Sequence, residues 1–565
     1  MAKFTNLSVF SSPQPLSLIA MVLACSSCFY PVTLFAGGYK NCVTLMGNGF
    51  RGPVHLGALS RLVEDHGEIS AISSSSSAAI IALLYHSLAS SPVLQSCGED
   101  SCSPEQRRIR IGLLLKSMPV FYEALYKSNG FGNDLRWVFS SAKRLGSFFS
   151  YFRFMLPQES GGKSAQGLKG LFPVKVGHLF AAGAIYMQRH LRDFITDSYY
   201  RKIGLDPAGF GFDFGHLDYS SAAVLANFIL KPGFKDQAVF FEDGLANFAT
   251  VVNFHGLIAD FYAGYDDAAN NGLTRFLHLC GRDSRGVSWL KMSLRPAEGG
   301  QNCGQYLETV ALDFINKNLE NRHKSRRLQD KVGQHGISLL TTALVTGQGV
   351  LPLEAARKAG PNRYKKFKTS KEDLRVGVFG DDESLRAALT GSEQDALSIG
   401  SIGLEGRSWF QALTRVISEP GAAPYFREKV GEDTHLSIGG WIDQNQSIYL
   451  KNLGCERVFA VAKGEPARFA PAIAELLTEN HDFVKTTFGL GDGSVLRNRI
   501  RLSDGIFCAY WENLPDIDYW AHLELGYQAP LYSQHQDIVH QSSRSGGRLR
   551  KPLQCFLDQS TQDEY

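Results

Sequence analysis

No sign of charge dominates this chain of 565 residues: 58 basic side chains stand against 55 acidic ones. The near balance excludes a generally polybasic nucleic-acid binder and an acidic solvating chain, so any electrostatic partner has to be met by a local patch. Charge is sparse as well, at 20%, against the ~25% of an average soluble chain. With 44% hydrophobic residues, that excludes global disorder and leaves enough material for a sizeable core. No internal repeat recurs. Beyond the N-terminal region no stretch reaches the ~18 uncharged apolar residues that a membrane span needs. Matched Cys-x-x-Cys pairs are missing too. Cys25 and Cys28 form a single such unit inside an apolar run, so a zinc ribbon is unsupported and no metal is expected. The other eight cysteines are even in number, which suits an exported chain with disulfides, Cys97–Cys102 being the nearest local pair.

The length allows about two to four domains, or one core with large insertions. Residues 15–36 are apolar and carry no charge. With Lys3 as a thin basic flank they read as the core of an export signal, so 1–36 is a signal segment. Val22-Leu23-Ala24-Cys25 loosely resembles a lipoprotein cleavage box. The expected location is therefore periplasmic, outer-membrane-associated or secreted. A cytoplasmic chain whose first buried element lies here is the alternative.

Residues 40–86 alternate between extended and helical patterns. Cys42–Met46 reads as a buried strand, Gly47–Gly52 as a glycine loop and Val54–Glu64 as a helix. Ile69–Ile72 reads as a second strand, Ser73–Ser77 as a turn and Ala78–Leu88 as an apolar helix. This order starts a parallel α/β sheet. Residues 101–215 are rich in aromatics among Arg and Lys and read as a helical insertion, or as a lid or membrane-facing surface. Residues 216–255 hold strand-like runs, and 256–400 read as an insertion without a motif. The basic stretches 317–331 and 357–371 read as solvated faces, or as lipid-headgroup patches. In 401–530 the α/β texture returns: helices at Trp409–Val416, Ser447–Leu453 and 468–478, and a strand at Glu456–Val461. Residues 531–565 are a polar tail.

Two features carry chemistry. Gly47-Asn48-Gly49-Phe50-Arg51-Gly52 follows a strand and opens a helix, so its backbone N–H groups can face an anion: a pyrophosphate, a phosphate or an acyl-transfer oxyanion. A dinucleotide fold places a carboxylate at the end of the next strand. Here that strand runs into five serines, Ser73–Ser77. A serine on a tight strand-to-helix turn fits a nucleophile elbow, with the helix N-terminus favouring developing negative charge.

These residues resemble the patatin-like phospholipases. Gly47–Gly52 matches that family's oxyanion loop, with Asn48 in place of a glycine and with Arg51 and Gly52 supporting the motif. Ser74-x-Ser76-x-Ala78 matches Gly-x-Ser-x-Gly with both glycines replaced. His55-Leu56-Gly57-Ala58-Leu59 continues the likeness. The resemblance covers 40–90 and 405–465 well. It implies a three-layer α/β/α core with a mostly parallel sheet and a large, partly helical insertion. It implies Ser76 as nucleophile, with Ser75 and Ser77 as the nearest rivals one register away. The backbone N–H groups of Gly47, Asn48 and Gly49 then form the oxyanion hole.

The family pairs its serine with an aspartate that opens an Asp-Gly-Gly turn. The matching segment here is Ser437-Ile438-Gly439-Gly440-Trp441-Ile442-Asp443. Gly439 and Gly440 keep the turn, but isoleucine cannot accept a proton. Three readings stay open: Asp443 is the base, Asp243 in Phe241-Glu242-Asp243-Gly244 is the base, or the dyad is dead. A Ser-His-Asp triad through His435 is a rival, while His55 and His86 fit helix positions better than a base role. The implied function is hydrolysis of lipid acyl esters without a cofactor, with a membrane lipid or lysolipid as substrate, peripheral membrane contact and no nucleic acid. The competing class is a catalytically inactive lipid-binding or scaffolding protein on the same fold.

Overall fold

The computed structural model describes residues 39–47, 52–95, 97, 100–128, 252, 254–264, 267–318, 330, 332, 337–346, 374–390, 401–417, 426–430, 433–437, 446–463, 502–509, 519–529 and 531–532. The chain begins its sheet with β1 (Asn41–Leu45), every residue of which is buried. A strand covered on both faces favours apolar residues without alternation, and Cys42, Val43 and Leu45 supply them, with the Thr44 hydroxyl as an exception. Helix α1 (Gly52–His66) follows, then β2 (Ala71–Ser75) and α2 (Ala78–Ala89), whose twelve residues are all buried. A helix apolar on every side belongs in a core.

Strand β2 differs from its expected span. It starts two residues later and takes in Ser73–Ser75, so only Ser76 and Ser77 turn. Serine is a poor strand former, but tertiary pairing overrides propensity. One edge of β2 pairs in parallel with β1 and the other with β3 (Ser338–Thr346). Its hydroxyls are satisfied: Ser73 Oγ donates to Gln446 O at 3.4 Å and Ser74 Oγ to Leu340 O at 3.4 Å.

Among the described residues the sheet has ten strands. The remaining seven are β4 (Leu374–Phe379), β5 (Ser401–Leu404), β6 (Phe426–Val430), β7 (Asp433–Ser437), β8 (Arg457–Lys463), β9 (Gly505–Ala509) and β10 (Leu531–Tyr532). The order is β10-β9-β8-β1-β2-β3-β4-β5, with the β6–β7 hairpin attached to β3. The run β9-β8-β1-β2-β3 is parallel, and β4 and β5 are parallel to each other but antiparallel to β3. The fold is α/β with a mostly parallel sheet. Residues 256–400, expected as an insertion, thus supply β3 and β4 to the sheet itself. Of the stretch expected to hold strands, 216–255, only residues 252, 254 and 255 are described, and they are helical, as 254–263 is throughout; the helix expected at 468–478 lies outside the described residues.

Helix α3 (Pro104–Lys127), the described part of the expected aromatic insertion, packs on α1. Its start carries a capping box, Ser103 with Gln106, and Pro104 in the first turn. Past the helical stretch at 254–263 come α4 (Asp267–Cys280), α5 (Trp289–Ser293), α6 (Cys303–Lys317), α7 (Asp382–Thr390), α8 (Trp409–Val416), α9 (Ser447–Asn452) and α10 (Tyr519–Tyr527). A fully buried ion pair ties several of them. Lys116 Nζ on α3 lies 2.6 Å from Glu64 Oε1 on α1 and donates to Ser284 O and Val287 O, both at 2.8 Å. Glu64 Oε2 accepts from Tyr527 Oη at 2.7 Å and from Gly286 N at 3.1 Å. Burial holds the Lys116 ammonium below the usual lysine range, against the pull of Glu64.

Disulfides join Cys42–Cys455, Cys97–Cys102 and Cys280–Cys303. Among the described residues no helix is long and apolar enough to cross a membrane.

Candidate active site

The serine run resolves into three different roles. Ser74 and Ser75 are strand residues of β2, and Ser77 has ordinary right-handed helical angles at the N-cap of α2. Ser76 alone has a left-handed backbone, with φ at +51°. A residue with a β-carbon held there costs roughly 1–3 kcal/mol, a strain that persists only where surrounding structure fixes it. The turn is fixed from both sides. The β2 ladder ends at Ser75↔Thr342, and Ser76 O and Ser77 O accept from Ala79 N and Ile80 N at 3.1 Å each, the first bonds of α2. Ser76 therefore sits at the positive end of a helix dipole, and its residue is 2% exposed.

Gly47 faces this turn. A β-carbon on Gly47 would lie 2.9 Å from Ser76 Cβ, so only glycine lets the β1 loop pass so close to the serine. The Gly47 N–H, expected as an oxyanion donor, instead donates to Ser75 Oγ at 3.1 Å. Ser75 is thereby engaged as an anchor of the loop. The preceding carbonyl, Met46 O, is 2.6 Å from His55 Nε2. Gly52 starts α1 against α2, where a β-carbon would meet Ile81 Cδ1 at 2.9 Å. His86 is buried in α2, with its ring 6.2 Å from that of Trp409. Both His55 and His86 thus lie on helices, as expected.

Asn48, Gly49, Arg51, Asp243, Ile438, Gly439, Gly440 and Asp443 lie outside the described residues. The anchors on either side of 438–445 are described. β4 takes one edge of β3 over Thr341–Thr346, so β7 pairs with β3 on the edge that β2 vacates. There Ser437 is opposite Val345, three residues past the Thr342 that faces Ser75. Three strand residues span about 10 Å. On the other side Gln446, fully buried, is clamped beneath the site. Its Oε1 accepts from Thr44 Oγ1 at 2.8 Å, its N–H donates to the same hydroxyl at 3.1 Å, and its carbonyl takes the Ser73 bond. Thr44 and Ser73 stand three residues before Gly47 and Ser76. The described residues on either side, Ser437 and Gln446, therefore each lie within about three strand residues of Ser76.

His435 belongs to β7, opposite Glu428 of β6. The clamp of Gln446 and Thr44 was not anticipated from the sequence. Its signal was a threonine between Val43 and Leu45: a hydroxyl in a strand buried on both faces needs a partner. Chemically, the arrangement presents one hydroxyl on a strained turn, at a helix N-terminus, against a glycine backbone. That combination suits a nucleophile whose product carries negative charge. No protein-family model, curated protein or solved structure matches the chain.

Proposed function

We propose that this protein is a lipid acyl hydrolase of the phospholipase or lysophospholipase type, with a patatin-like three-layer α/β/α core and Ser76 as its nucleophile. The observation that carries the reading is the left-handed Ser76 on the β2–α2 turn, pressed against Gly47. In the proposed cycle Asp443 accepts the Ser76 hydroxyl proton as the oxygen attacks an ester carbonyl. The N–H groups of Asn48 and Gly49, on the loop that Gly47 anchors, hold the oxyanion. The proton passes to the departing alcohol, and water then releases the fatty acid from the acyl-serine. Asp443 is preferred over Asp243 because three residues of chain separate it from Gln446, a reach of at most about 10 Å, and Gln446 is fixed beside Ser73. The substrate is a membrane lipid or lysolipid met at a surface. The disulfides among the described residues favour an exported chain working in an oxidising compartment.

A second reading has its own observation: Ile438 stands where the family resemblance puts the base. On that reading the same fold binds lipid without turning it over. Fatty-acid release from mixed phospholipids and from a short-chain aryl ester separates the two. Ser76→Ala is expected to lower turnover by roughly 10³-fold or more. Asp443→Asn should follow it and Asp243→Asn should not. Equal turnover in wild type and Ser76→Ala would sink the hydrolase reading.

A further inference from the structure

One peptide unit, Met46–Gly47, is held at both ends by side chains from two other elements. His55 Nε2, on the first turns of α1, is 2.6 Å from Met46 O. Gly47 N–H donates to Ser75 Oγ, at the end of β2, at 3.1 Å. A carbonyl oxygen can only accept, so the first bond requires the tautomer that carries its proton on Nε2. His55 and Ser75 are fully buried and Met46 is 1% exposed, so water does not compete for these groups.

A trans peptide is planar, with its C=O and N–H pointing in opposite directions. A bond at each end therefore stops the plane from rotating about the line between its two α-carbons. That plane sets the direction in which the chain leaves β1 and how the Gly47 backbone meets the Ser76 turn. Met46 N–H is bonded to Val461 O at 3.2 Å, which makes the Met46–Gly47 peptide the first one past the sheet ladder. It is also the first free to turn without these two bonds. Because a β-carbon on Gly47 would lie only 2.9 Å from Ser76 Cβ, a small rotation here shifts the Gly47 backbone relative to the nucleophile.

We infer that His55 and Ser75 are positioning residues for the Ser76 site: they lock the Met46–Gly47 peptide at the place where the Gly47 backbone backs onto the Ser76 turn. The inference rests on Ser76 being the nucleophile. It gives His55 a role through its Nε2 proton, which holds a carbonyl, rather than through proton abstraction from Ser76. It also gives Ser75 a function that needs its oxygen as an acceptor and not as an attacking group.

A long-chain alkyl fluorophosphonate tests this, since it phosphonylates a serine only when the developing oxyanion is stabilised. Wild type, Ser76→Ala, Ser75→Ala, His55→Ala and His55→Gln are compared by intact mass and by labelling rate against probe concentration. A melting curve on each sets the folded fraction. Wild type should be labelled on Ser76. His55→Ala should keep its half-saturating probe concentration while the limiting rate falls about 10²-fold, the usual cost of a misplaced reacting group. Ser75→Ala should slow by less, and His55→Gln, with an amide N–H for the carbonyl, should recover part of the rate. A role in stability alone would lower the melting temperature and leave the rate per folded molecule unchanged. Equal limiting rates in wild type, Ser75→Ala and both His55 variants would overturn the inference while leaving Ser76 as nucleophile. If His55→Ala does not fold, His55→Gln and Ser75→Ala decide the same question. A wild type that is not labelled at Ser76 would overturn the hydrolase reading and the inference with it.

Discussion

The last residue of α1, His66, stacks on Phe459 with ring centroids 4.8 Å apart. Two influences compete on it. A helix C-terminus favours the imidazolium, while burial and then the Arg457 guanidinium disfavour it, and the second pair prevails: the His66 pKa is held below the usual histidine range. The unfolded chain thus takes up this proton first as pH falls. Stability from His66 is complete above its ordinary pKa of about 6.5, declines below that, and levels off once the folded state is protonated too. Melting measured at about pH 7.5 and about pH 5 should show a smaller loss on acidification in His66→Gln than in wild type. An unchanged loss would mean that other groups set the acid limb. At this scale the sequence was informative only where a residue's backbone matters. The turn at Ser76 was legible because strand, small residues and helix bracket it. His66 was not, because its neighbours Phe459 and Arg457 arrive from almost four hundred residues away.

Helices α1 and α10 cross with their backbones in contact. A β-carbon on Gly57 would lie 2.0 Å from Leu523 O, and one on Gly526 would lie 1.9 Å from Val54 O. Neither obstacle is a flexible side chain, so the helices would have to move apart. Gly526→Ala is expected to destabilise by about 1–3 kcal/mol or more, as overpacked cores do. Chemical denaturation measures it, and a change within error would refute the close crossing. Because α1 also carries His55, the same variant should slow Ser76 chemistry if the helix shifts. Most elements near the site were readable from pattern: β1, α1, α2, α8, α9 and β8 fall within about two residues of their expected spans, the usual uncertainty of element ends. The β2 boundary was misplaced because serine has no strand preference and its pairing with β1 and β3 is a tertiary fact. Strands β3 and β4 went unread although Ser338–Thr346 is a run of apolar and β-branched residues. No charge or glycine motif within it marked it as part of the sheet.

Across the whole molecule the sheet is assembled from distant parts of the chain. β1 lies between β2, thirty residues on, and β8, more than four hundred residues on. Such pairing carries a large loop-closure cost, which one covalent link offsets. Cys42, in β1, is bonded to Cys455, just before β8, across a sequence separation of 413. Cross-links that close long loops restrict the unfolded chain most, and losing a native one costs roughly 2–5 kcal/mol. Replacing Cys42 and Cys455 together by alanine should therefore lower stability by an amount in that range, read by denaturant unfolding. The link sits at the N-terminal ends of β1 and β8, whereas Gly47 and Ser76 lie past the C-terminal ends of β1 and β2. Activity per folded molecule should accordingly survive the double substitution even as the folded fraction falls. Loss of both together, at temperatures where the chain is fully folded, would show that the link holds the site and not merely the sheet. It would also give a physical reason for the site to work only where thiols are oxidised.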